Sequence, residues 1–167
     1  MADLLTHVLV GYCLGTALSI RVTWIRPAHV TMVMVGAALP DLAKIELVVS
    51  WRTMVSRFGV PWDWFALHTL GGTVVTVLLV SLLLEPKERW RVACLLAVGV
   101  ASHHVFDVIL LSRTGLSYPV FWPLTTYQPP AGGLFYSWDR WPAAVTGIAA
   151  FCLWRYRLRR ENSPSPV

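Results

Sequence analysis

The stretch VACLLAVGVASHHVFDVILL, Val92–Leu111, decides the fold. It is about 20 residues long, nearly all apolar, and shows no period-2 alternation. A chain of this kind satisfies its backbone polar groups inside a lipid bilayer only as a helix. Yet its second half carries His103, His104 and Asp107. Ionisable groups at such a depth cost about 2.5–3.5 kcal/mol each on insertion scales and face a protein interior rather than lipid.

Outward from this run lie four more: Leu4–Ile20, Ala28–Ser50, Phe65–Leu84 and Trp141–Tyr156. Leu39-Pro40-Asp41 interrupts the second, where a proline kinks or breaks a helix. The spacing predicts an all-α, polytopic membrane bundle of about five transmembrane helices, a single domain over residues 1–160. A flexible polar tail is expected over 161–167. Composition agrees: of 167 residues 56% are hydrophobic and 14% charged, against about 25% charged in a soluble domain. Mean hydropathy is +0.57. The first run lacks a basic n-region and a small-residue cleavage site, so it reads as a retained span rather than a signal peptide. Cys13, Cys94 and Cys152 all lie inside apolar runs, with no disulfide or zinc-finger spacing.

The net charge of +5 comes mostly from arginines between the runs, a topology signal rather than a nucleic-acid patch. With five spans, Arg21, Arg26, Lys87, Arg89, Arg91, Arg155, Arg157, Arg159 and Arg160 share one side. Only Arg52, Arg57, Arg113 and Arg140 reach the other. The positive-inside rule then places the N-terminus outside and the C-terminus in the cytoplasm. All nine tryptophans fall at run ends or in loops, as in an aromatic belt. The long connection Ser112–Arg140, rich in Pro, Gly and aromatics, is expected along the outer interface.

In this topology His7, Asp41, His68, His103 and Asp107 converge at roughly 5–15 Å below the outer face, at 1.5 Å rise per residue. His103 and Asp107, at i and i+4, share a helix face, while His104 points about 100° away. His plus Asp without Cys is a ligand set for catalytic zinc, or for manganese or iron. For any one of these histidines the competing reading is a hydrogen bond across helices. Lys44 reads most simply as an i, i+3 ion pair with Asp41, or else as an anion-binding cation. Gly11, Gly15 and Gly71-Gly72 read as helix-packing positions, and His29 as an unrelated interfacial residue.

The order Thr6-His7, Gly36-Ala-Ala-Leu-Pro-Asp41, His68-Thr69 and Ser102-His103-His-Val-Phe-Asp107 resembles the predicted membrane-bound metal-dependent hydrolases. That family includes the LexA-regulated inner-membrane hydrolases and looks distantly similar to zinc-dependent phospholipase C. The resemblance covers roughly residues 1–115. It implies metal binding by His7, Asp41, His68, His103 and Asp107, and matches Asp3 to a frequent N-terminal acid. Ala43 stands where many relatives carry a second acid, and Asp63-Trp64 where many carry a His-Arg pair.

The expected function is a metal-dependent hydrolase of the cytoplasmic membrane, acting on a lipid or amphiphilic phosphoester near the outer leaflet. The expected cofactor is a divalent metal, zinc first, with manganese or iron as alternatives. Asp41 or Asp107 would orient or deprotonate water, His104 would protonate the leaving group, and Arg113 and Lys44 would bind substrate. The competing class is a non-catalytic membrane protein that binds or conducts a metal ion or protons. A haem-binding electron carrier is a third reading.

Overall fold

A computed structural model describes residues 3–161; the expected tail therefore lies, beyond its first residue, outside the described residues. Six α-helices form among them: α1 (Leu4–Arg21), α2 (Pro27–Ala38), α3 (Trp51–Phe58), α4 (Leu70–Leu82), α5 (Pro86–Val108) and α6 (Trp141–Glu161). Two 3₁₀ segments, Leu39–Leu47 and Trp64–His68, interrupt them. The described residues contain no strand, only two isolated β-bridges.

The second and third apolar runs are not continuous α-helices. Pro40 has no N–H to give and its ring obstructs the preceding turn. The second run accordingly leaves α2 at Ala38 and tightens into the 3₁₀ segment. The third breaks at Thr69, which is extended (φ −100°, ψ 164°) between Trp64–His68 and α4. Among the described residues, α1 and α5 are long and apolar enough to cross a membrane by themselves, and α4 is a shorter apolar helix.

The α2–α5 and α1–α2 contacts form the centre of the bundle, with α6 against α1 and α4 against α5. Val30, Val33, Leu95 and Leu96 fill the α2–α5 seam. The helices approach closely there because Gly36 and Gly99 face backbone: a Cβ on Gly36 would strike Leu96, and one on Gly99 would strike Val33 and Ala37. Gly11 and Gly15 play the same part between α1 and α2, the expected use of small residues in membrane helices.

Polarity is inverted relative to a soluble protein. Thr6, His7, Thr69, Thr73, His103 and Asp107 are buried, whereas Leu78, Leu79, Leu82, Leu83, Ile148 and Phe151 are exposed. That arrangement suits a hydrocarbon surround, where burial of apolar side chains brings no gain and stranded polar groups are costly.

The connection after α5 packs back on the bundle. It closes two helix ends: Leu70 N donates to Val120 O (2.7 Å) and Gly71 N to Trp122 O (2.9 Å) at the start of α4. At the end of α5, Gly132 N donates to Val108 O (2.8 Å) and Leu134 N to Ile109 O (3.0 Å). Helix termini leave such groups orphaned, and here the loop itself satisfies them. Helix α3 was not foreseen as an element. Its Trp51, Met54, Val55 and Phe58 follow the i, i+3, i+4, i+7 pattern opposite Arg52 and Arg57, and none of its residues is buried.

Candidate metal centre

Each side chain of the centre is aimed by a local sequence device. Asp3 caps α1, its carboxylate accepting from Thr6 N (3.0 Å) and the Thr6 hydroxyl (2.6 Å). Burial pushes the Asp3 carboxyl up, but the Thr6 bonds, the Arg140 charge and the Leu5 amide outweigh it and hold it below its ordinary value. The helix started in this way presents His7 on its first turn, against α5. Its ring stacks on His103, with centroids 3.7 Å apart and planes 17° from parallel.

Pro40 aims the next residue by what it lacks. It has no N–H to offer to Ala37 O, three residues back in 3₁₀ register. That carbonyl instead accepts from His103 Nδ1 at 2.7 Å. Pro40 O in turn accepts from His68 Nδ1 at 3.1 Å. Thr69 ends the segment that carries His68 and caps α4 with its own hydroxyl, which accepts from Gly72 N. The Pro-Asp and His-Thr motifs are thus each one candidate ligand and one backbone break.

Since carbonyls only accept, Nδ1 carries the proton in both His68 and His103, and in the neutral rings Nε2 presents a lone pair. These lone pairs point at Asp107: His68 Nε2 lies 2.8 Å and His103 Nε2 3.4 Å from its Oδ2. His7 Nε2 lies 3.4 Å from Oδ1. Lone pairs facing a carboxylate repel unless a proton or a metal ion lies between them. The side chains of His7, His68, His103 and Asp107 are at most 1% exposed, so water does not relieve the conflict.

Asp41 completes the group. Lys44 Nζ holds its Oδ2 at 2.7 Å, the expected i, i+3 pair. Its Oδ1 is buried without a hydrogen-bond partner, as are His103 Nε2 and both ring nitrogens of His7. An unsatisfied buried polar atom costs about 1–3 kcal/mol. These orphaned atoms belong to two sets whose ligand atoms lie within 4.8 Å of one another: His7–His103–Asp107 and Asp41–His68–His103. His103 is common to both. The donor set fits one or two divalent ions, with His oriented by backbone carbonyls as metal-ligating imidazoles commonly are. The stacked His7–His103 pair leaves no slot for a haem between them.

The structure thus brings His7, Asp41, His68, His103 and Asp107 together and sets the other candidates apart. His104 is buried beside the centre but outside both sets. Its Nδ1 meets Tyr118 Oη at 2.7 Å and its Nε2 meets Thr73 Oγ1 at 3.3 Å. Arg113 is exposed beyond the end of α5. Asp63 caps the second 3₁₀ segment by accepting from Phe65 N (2.8 Å) and is exposed. His29 lies at the far end of α2 and α5, 3.7 Å from Glu88. The cysteines are free.

Tyr118 was missed by the sequence reading. Burial first, then the charges of Asp107 and Asp41, push its phenol well above the ordinary value. It therefore stays protonated and serves as a donor to His104. Nothing local marks it among the aromatics of its loop, since only the loop's return over α4 brings it down to His104.

No curated protein and no solved structure matches the chain. A family model does, over residues 1–164, so that both 3₁₀ segments, all six helices and the whole His/Asp centre fall within the match. The apolar exterior, the buried polar centre and this near-complete match agree: the chain belongs to the YdjM inner membrane protein family.

Proposed function

We propose that this protein is a membrane-embedded metal-dependent hydrolase acting on a lipid or amphiphilic phosphoester. The observation that carries the proposal is the pair of buried ligand sets sharing His103, with His68 and His103 locked by carbonyls so that Nε2 faces inward. A divalent ion, zinc first, supplies Lewis acidity there: it polarises a phosphoryl oxygen and brings the ionisation of water towards neutral pH.

The chain's own residues divide the remaining work. Asp107, contacted by three histidines, anchors the centre. Asp41, with Oδ2 held by Lys44 and Oδ1 unengaged by hydrogen bonds, is the carboxylate that takes a proton from the attacking water. The water oxygen adds to phosphorus, the ester P–O bond breaks, and His104 hands a proton to the departing alkoxide. Arg113, with no ion pair among the described residues, is the guanidinium available to a phosphate. Lys44 contributes positive charge beside Asp41.

The topology belongs to the same proposal. Laid end to end, helix α2 and its 3₁₀ extension would cover about 36 Å, and the second 3₁₀ segment with α4 about 30 Å. Broken segments of these lengths cross a bilayer as α1 and α5 do, and α6 makes the fifth span. Loop cations put the N-terminus outside and the centre towards the outer leaflet.

One observation favours a non-catalytic reading: the centre is closed, its four innermost side chains being nearly inaccessible. A conduction path is not favoured. Ser81, further along the bundle, bonds back to Leu78 O of its own helix. Metal analysis of the purified protein, paired with hydrolysis assays on phosphoester lipids, tests the proposal. Wild type should hold one or two divalent ions per chain and turn over substrate, while His103→Ala should lose both. Metal without turnover would leave the non-catalytic reading. Absence of any bound ion under non-chelating purification would sink both.

A further inference from the structure

Two apolar grooves on the lateral surface share three lining residues. One, of about 290 Å³, runs between α4 and α5 from Trp90 past Val77 and Ala97 to His104. The other, of about 450 Å³, runs from His104 beneath the long loop to Tyr127 and Pro129. Leu70, Ala101 and His104 line both. The slot exists because α5 offers Ala93, Cys94, Ala97 and Ala101 to the larger Val74, Val77 and Leu78 of α4. From Trp90 to Val108 it extends about 27 Å along α5, close to the thickness of the hydrocarbon core. Its walls expose almost no polar atom, and the edge of the buried His104 ring, 6.1 Å from His68 and 5.9 Å from His103, reaches them.

We infer that this slot seats the acyl chain of a single lipid molecule and carries it past His104, beside the metal ligands. The occupant follows from continuity: the groove opens onto the exposed leucine and valine face of α4, and in an inner-membrane protein that face meets lipid chains. An annular lipid would slide over a smooth face, whereas this channel is recessed between α4 and α5 and passes closest to the metal ligands at His104. The inference rests on the hydrolase reading for its chemistry and narrows the substrate to lipids with at least one long chain. The slot's lower half binds tail. The upper half, under Phe121 and Tyr127, receives the part nearer the headgroup.

Photo-crosslinking with a phospholipid carrying a diazirine in its acyl chain, in nanodiscs, tests this. Adducts should concentrate on the α4 and α5 peptides that line the slot, with Ala97→Leu and Ala101→Leu each lowering them about tenfold. Both residues are exposed, so the added methyl groups fill the groove without entering the bundle. In the same preparations, turnover of long-chain lipids should fall with the adducts while that of a short-chain, soluble phosphoester stays unchanged. Adducts spread evenly over α4, α5 and α6 and unaffected by either variant would overturn the slot. Concentrated adducts without turnover of either substrate would retain the slot and remove the hydrolase reading. Turnover of long and short substrates equally insensitive to Ala97→Leu would do the reverse.

Discussion

At the scale of single residues, the centre depends on groups that ligate nothing. Pro40 is the clearest: by withholding an N–H it leaves Ala37 O to His103. Pro40→Ala restores a competing donor and should lower metal affinity about tenfold, the low end of losses from ligand-orienting partners. Competition with a graded series of chelators reads this, and an unchanged affinity would show that His103 needs no such carbonyl. Asp3 is the second such group. Asp3→Ala removes the α1 cap at a cost of about 1 kcal/mol, which in a chain of this size lowers Tm by about 2–4 °C. The sign of its pH dependence follows from its depressed carboxyl. The stabilisation is present above the unfolded value of about 3.9 and is lost as pH falls through the lower folded value. The Tm gap between wild type and Asp3→Ala should therefore be full at pH 7 and close in strong acid. A gap independent of pH would mean that the cap acts through shape and not charge.

At the scale of elements, the α2–α5 crossing couples packing to ligation, since the same seam that buries Leu96 brings Ala37 against His103. Gly99→Val places methyl groups against the backbone of Val33 and Ala37. Overpacking of that kind costs about 1–3 kcal/mol, or roughly 2–12 °C in Tm. Metal affinity should fall with it, because the helices part where His103 is oriented; a drop in Tm with affinity intact would uncouple the two. The five candidate ligands stood out in the sequence because ionisable groups in apolar runs carry their cost openly. These were His7, Asp41, His68, His103 and Asp107, for which the topology read from the loop cations predicts one depth, and the structure brings them together. The elements bearing them were legible only in part. Pro40 announced a break, but Thr69 did not, since a threonine at a run boundary is compatible with a continuing helix. Helix α3 carried an amphipathic period only eight residues long, too short to stand out beside runs of twenty. Tyr118 was illegible because a loop contact made through tertiary return leaves no local pattern.

At the scale of the whole molecule, α1, α5 and both 3₁₀ segments converge at the centre with their polar atoms inward, in a bundle that exposes many of its large apolar residues. A fold built this way has little hydrophobic burial to hold its interior closed, because leucines facing lipid are as well placed as leucines facing each other. Helix contacts through glycine and the satisfaction of buried polar groups therefore carry more of the stability than in a soluble domain. A metal ion bound at about a thousand times its Kd stabilises the folded state by about 4 kcal/mol. Its removal should accordingly lower Tm by about 10 °C. The loss should be greatest for wild type, smaller for His7→Ala, which keeps the Asp41–His68–His103 set, and absent for His103→Ala, which has neither set to lose. Thermal unfolding in detergent, with and without a chelator and with zinc added back, distinguishes these three responses. If His103→Ala still responds to chelator and zinc as wild type does, the ion binds elsewhere and the centre is held by hydrogen bonds and protons alone.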